Sequence, residues 1–233
     1  MYRSLEPAKI IETIARLGAR IAERFPDSGL HNVSQELLAV ATAGAERAED
    51  LAKPNWTLRA GIAVLAAAGV AAQIWAARSL HVRLGDLDAA GMVQGLEAAV
   101  NLLLLFGAAA WFVISLEARF KRNRALAALH ELRSLAHVVD MHQLTKDPTT
   151  LLTPGAPTAS SPQRAMNEFQ LTRYLEYCAE MLALMGKIAA LYAQRSGDGV
   201  VVDAVNDIEN LCANLGRKIW QKIMIIGQLR EQH

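Results

Sequence analysis

Two stretches of this 233-residue chain carry no formal charge over a length that matches the apolar thickness of a bilayer. Residues 60–77 read AGIAVLAAAGVAAQIWAA between Arg59 and Arg78, and residues 98–116 read AAVNLLLLFGAAAWFVISL between Glu97 and Glu117. At about 1.5 Å of rise per residue, helices of this length reach roughly 27–29 Å. Excluding charge from both runs is what the cost of burying charge in lipid demands. The apolar character also runs all the way round each helix, whereas a surface helix of a soluble domain is apolar on one side. Trp56, Trp75 and Trp111 suit rings at or near the interface. The first run is the weaker, since nine of its 18 residues are Ala. A pair of Ala-rich core helices in a soluble bundle is the competing expectation.

Composition closes off several function classes. Hydrophobic residues make up 52% and charged residues 20%, which excludes a disordered chain. The net charge is +1, so no global basic surface argues for nucleic acid as a partner. Two cysteines, Cys178 and Cys212, exclude a disulfide-dense scaffold. They are expected in the core, together with Met166, Met181, Met185 and Met224. There is no Gly-rich phosphate loop, nucleophile elbow or paired-Cys metal motif, and no cofactor is expected.

The basic flanks predict orientation. Arg119, Lys121, Arg122 and Arg124 follow the second run within six positions, and Arg47, Lys53 and Arg59 precede the first. The connecting segment 78–97 holds only Arg78 and Arg83. The positive-inside rule then puts both termini in the cytoplasm and a short loop outside an inner or plasma membrane. The opening 25 residues are charged and amphipathic, so the first run is expected to insert as a permanent anchor.

Everything else reads as helix, which makes the expected fold all-α: two transmembrane helices with a cytoplasmic helical bundle. N-terminal cytoplasmic helices occupy 1–56. Ile10, Ile14, Leu17, Ile21 and Phe25 form a stripe after Pro7, and Leu30, Val33, Leu37, Ala41, Gly44, Ala48 and Leu51 form a second. The membrane hairpin spans 57–117. A stalk helix continues over 118–147, with Leu129, Leu132, Leu135, Ala136 and Val139 on one face. The Pro- and Ser/Thr-rich stretch 148–162 reads as a flexible linker. A helical hairpin fills 163–233 and turns at Ser196-Gly197-Asp198-Gly199. Val201, Val205, Ile208, Cys212, Leu215 and Ile219 make a coiled-coil-like seam on its second helix.

Two polar constellations stand out. On the stalk, His130, Arg133, Ser134, His137 and Asp140 fall within roughly 120° of one another. The readings are a polar face pairing with the N-terminal helices or another subunit, a pH- or ligand-sensing interface, or a metal site using His137 with Asp140 or His130. At the outer mouth of the second run, Gln94, Glu97 and Asn101 share a face, and Gln73 of the first run lies at a depth similar to Asn101. Gln73 and Asn101 would tie the hairpin together by hydrogen bonds. Alternatively, Glu97 would form a ring in an oligomer, with Asn101 below it. The basic cluster Arg119, Lys121, Arg122 and Arg124 is a topology signal that would also meet anionic headgroups.

The leading expectation is an oligomeric two-span membrane protein whose cytoplasmic bundle drives self-association and gates an ion-conducting pore. A second is a non-conducting scaffold whose C-terminal hairpin binds a cytoplasmic protein, and a third is a metal-dependent enzyme using the stalk histidines. The layout resembles the small two-span effectors with which bacterial defence systems permeabilise their own membrane. That resemblance covers arrangement alone and assigns no residue.

Overall fold

Six helices account for nearly all the residues described by the computed structural model, which are 4–79, 89–146, 148, 159 and 166–231; no strand occurs among them. Helix α1 is Pro7–Arg24, with Pro at its start, where a missing N–H costs nothing. Its predicted stripe is buried through Ile10, Ile14, Leu17 and Ile21. Phe25 ends the helix and packs edge-on against Tyr174 and Tyr177. Helix α2 is Gly29–Ala52. The Ser28 hydroxyl caps it by accepting the His31 N–H at 3.2 Å. Helix α3 is Trp56–Ser79, and α4 runs unbroken from Ala89 to Leu144. The fifth, α5, is Glu168–Arg195, opened by a capping box between Asn167 and Gln170. The last, α6, is Gly199–Glu231.

The chain divides into two units, one comprising Met1–Ala52 with Arg122–His233 and the other Lys53–Lys121. In the first unit α5 is the central helix. Its buried residues include Tyr177, Leu184 and Leu191 on one side, Leu175, Ala179 and Leu182 on another, and Tyr174, Cys178, Met181, Met185, Ile188 and Tyr192 between them, which together cover more than half of its circumference. Around it pack α1, α2 and α6, and α4 adds Ala125, Ala128, Leu129, Leu132, Leu135, Ala136 and Val139 to the same core. The α6 seam is buried at Val201, Val205, Ile208, Cys212, Leu215 and Ile219. At Gly44 a Cβ would stand 3.3 Å from the Tyr192 hydroxyl, so the missing side chain is what lets α2 approach α5 there.

Three features differ from the sequence expectation. Met224 is exposed, unlike Met181 and Met185. It follows the buried seam by five residues, which turns it onto the flank of α6. Helix α4 starts at Ala89, nine residues before the second apolar run and five before Gln94, because 89–97 holds no Pro to stop it, although Gly91 and Gly95 lie within it. By length and composition, one helix among the described residues is apolar enough to cross a membrane, within Val93–Leu144; the described apolar stretch of α3, Arg59–Ala71, is shorter. Residues 80–88 of the expected connecting segment 78–97, and all of the expected linker 148–162 but Pro148 and Ala159, lie outside the described residues.

Candidate functional site

In the second unit α3 and α4 lie antiparallel. Glu117 accepts the Asn55 N–H at 3.1 Å and pairs with Arg59 at 3.5 Å and Lys121 at 3.0 Å. Lys121 also donates to the Lys53 carbonyl at 2.7 Å. Farther along, the Phe106 ring covers Gly69, where any Cβ would meet it. This register brings position 73 to the level of Asn101. The Gln73 side chain, and with it the predicted amide pair, lies outside the described residues. Gln94, Glu97 and Asn101 are exposed along one side of α4. None of the three has a hydrogen bond or ion pair among the described residues.

The hairpin covers only one side of α4, where Leu102, Phe106, Ala110 and Val113 are half-buried. No part of the α4 apolar window is buried. Leu103, Leu104 and Leu105 are 76%, 63% and 68% exposed. Three consecutive residues point in directions about 100° apart, so the helix presents leucine on most of its perimeter. Val64, Leu65, Ile74, Trp75, Trp111 and Phe112 are exposed as well.

The predicted basic cluster separates into two roles. Arg119 and Arg124 are exposed. Lys121 serves the Glu117 cluster, and Arg122 pairs through Nε with Asp198 Oδ2 at 2.8 Å. Asp198 stands just before α6 and accepts the Val200 N–H on its other oxygen at 3.0 Å. The Arg122 hydrogen bond, aided by the backbone donors, holds its carboxyl below the usual carboxylate range.

On the stalk part of α4, His130, Arg133, Ser134 and His137 are exposed and Asp140 is half-buried. Asp140 accepts from Gln143 at 2.6 Å. The ion pair to the N-terminal helices comes from Glu131, which meets Arg47 of α2 at 2.8 Å. No group of three His, Cys, Asp or Glu side chains suited to a metal occurs among the described residues. His130 and Ser134 instead line an open groove of about 610 Å³ between α2 and α4, with Glu36, Ala39, Ala43 and Arg47 opposite. A second groove, of about 590 Å³, continues from it at Val138 to Met141, Met166 and Tyr174.

His142 was not among the predicted site residues. Its ring lies against the backbone at Gly29, at the start of α2. Burial first, and then the nearby Lys146 ammonium, lower its pKa below that of an ordinary imidazole. Only the three-histidine density of 130–142 hinted at this environment. Beneath the Arg47–Glu131 pair, burial pushes the Tyr192 hydroxyl up to about 12. That hydroxyl and His31 Nδ1 are buried without hydrogen-bond partners among the described residues.

No protein-family model matches the chain, and comparisons with curated proteins and with solved structures give no match.

Proposed function

We propose that this chain is an oligomeric two-span protein of an inner or plasma membrane. In this reading α3 and the first part of α4 cross the bilayer as a hairpin and both termini are cytoplasmic. The bundle of α1, α2, the α4 stalk, α5 and α6 drives assembly and gates an ion-conducting pore. One observation carries the proposal: leucines on most of the α4 perimeter are left uncovered by the rest of the chain. A core helix of a soluble bundle would be enclosed, and a patch of this size needs an apolar solvent or a partner. Arg119, Lys121, Arg122 and Arg124 after the second run support the cytoplasmic termini.

The polar stripe Gln94, Glu97 and Asn101 supports assembly. A carboxylate and two amides on an otherwise apolar rod are costly against acyl chains. Other subunits, or a water-filled path between them, remove that cost. Glu97 would then draw cations to the outer mouth of the pore.

Two measurements test the reading. Expressed protein should stay with membranes through an alkaline carbonate wash; a chain that remains soluble without amphiphile overturns it. Purified protein in planar bilayers should conduct, and Glu97→Gln should reduce cation preference. Membrane-bound protein without conductance would leave the non-conducting scaffold.

A further inference from the structure

We infer that subunits associate through the flank of α6, which lies in the α2–α4 trough of a second copy of the chain. This deepens the proposal of an oligomer and rests on it. The flank consists of Ala213, Gly216, Trp220, Met224 and Gly227, spaced three and four apart and so on one side of the helix. Trp220 is 54% and Met224 63% exposed. A Cβ built at Gly216 or Gly227 meets nothing, so no part of the described chain covers this flank. Two small residues beside an exposed Trp let another helix surface come close around a large apolar knob.

The receiving surface is the pair of grooves joined at Val138. Ala39 and Ala43 keep its α2 wall low, and Val138, Met141 and Met166 make it apolar at one end. From position 130 to the end of α4 at Leu144 it runs for about 21 Å, and the α6 flank from 213 to 227 is also about 21 Å long. The α6 helix lines neither groove, so donor and receiver are separate surfaces of one subunit.

Their heights agree. Arg122–Asp198 and Gln143–Lys222 set α4 and α6 parallel, side by side. Trp220 therefore stands level with Met141, and Arg217 and Lys218 stand level with Val138. Glu36 lines the trough along the same stretch, because Arg47–Glu131 and Gly29–His142 set α2 antiparallel to α4. Glu36, Arg217 and Lys218 are exposed, and none has an ion pair within the described chain. A rotation about an axis parallel to the helices preserves height, so contacts at matched heights meet the first requirement of a closed ring, the absence of a shift along its axis. Trp220 then enters the methionine-lined end, where sulfur favours aromatic rings, and Glu36 faces Arg217 of the neighbour, which lies on the Trp220 side of α6, whereas Lys218 points away from it.

Full-length protein in nanodiscs or detergent tests this by light scattering across a dilution series. The native chain should be multimeric. Trp220→Ala should raise its half-dissociation concentration at least about tenfold, as removal of a central Trp anchor does, with helix content unchanged. Met141→Ser probes the receiving wall independently and should act in the same direction. Glu36→Lys should weaken assembly, and pairing it with Arg217→Glu should restore it. Glu36→Cys combined with Arg217→Cys should give disulfide-linked multimers that neither single variant gives. A native multimer that is indifferent to these substitutions and forms no such link overturns the α6 contact and leaves the oligomer standing. A native chain that is monomeric at every concentration overturns both.

Discussion

The Lys222 ammonium on α6 donates to both the backbone carbonyl and the side-chain Oε1 of Gln143, at 2.9 and 2.6 Å. Gln143 is buried in the last turn of α4, and its carbonyl also accepts the Lys146 N–H at 3.1 Å. One side chain thus satisfies two enclosed acceptors and fastens the ends of α4 and α6 together. Lys222→Met keeps the aliphatic stem and removes the charge-assisted donor. It should lower unfolding stability by about 1.5–3 kcal/mol in urea titrations. An unchanged midpoint would show that Gln143 finds equivalent donors elsewhere.

Gly29 leaves space for a ring. A Cβ at this position would overlap His142, whose Nε2 would lie 3.2 Å away. Gly29→Ala should cost about 1–2 kcal/mol as the imidazole is forced aside. In a His142→Ala background most of that cost should vanish. A double-mutant cycle with no coupling between the two positions would rule out the contact as its source.

The same histidine predicts a pH dependence. Its folded pKa lies below the ordinary 6.5, first through burial and then through Lys146. Between the folded value and 6.5 the unfolded chain binds more protons, so this contribution to stability rises with pH across that window. Above 6.5 the ring is neutral in both states and the contribution is flat. Acidification from about 6.5 should therefore loosen the bundle, and His142→Gln should flatten that slope in melting curves. An identical slope in the variant would assign the effect to other groups.

Asp198 does two jobs that separate by substitution. Its Oδ1 accepts the Val200 N–H, and its Oδ2 meets Arg122. Asp198→Ala should cost about 0.5–2 kcal/mol as a lost helix cap. Asp198→Asn should cost less, because the amide oxygen still accepts the N–H. Since the folded carboxyl pKa is depressed, the charge contribution is full above about 3.8 and fades as pH falls through the folded value. Equal losses in the Ala and Asn variants at pH 7 would show that the stabilisation comes from the ion pair and not from the cap.

Burial pushes the Cys178 thiol up to about 12 and the Cys212 thiol up to about 11. Only the thiolate is a good nucleophile, so both should resist alkylation at pH 8 and react once denaturant opens the bundle. Rapid modification of either in the native protein would show that α5 and α6 part readily.

Much of the bundle was legible because helical periodicity and burial report the same direction. The stripe from Ile10 to Ile21, the stalk face from Leu129 to Val139 and the α6 seam from Val201 to Ile219 are all buried as spaced. For α5 the sequence pointed to Cys178, Met181 and Met185 as core, and all three are buried, but a central helix surrounded by neighbours is apolar on more than one side and does not show which helix each side meets. Met224 was misjudged for a related reason: hydrophobicity marks a residue as able to be buried, not as covered.

By itself the sequence determined the helices, their approximate ends and the two uncharged rods, because each depends on near neighbours in the chain and on side-chain solubility. Tertiary structure alone decided which helix each face meets. Lys222 with Gln143, His142 with Gly29 and Tyr192 with Gly44 lie far apart in sequence, so no local spacing encodes them. The stalk polar face shows the division most plainly. Its angular clustering was readable from a period of 3.6, but its place as one wall of an open trough depends on where α2 packs.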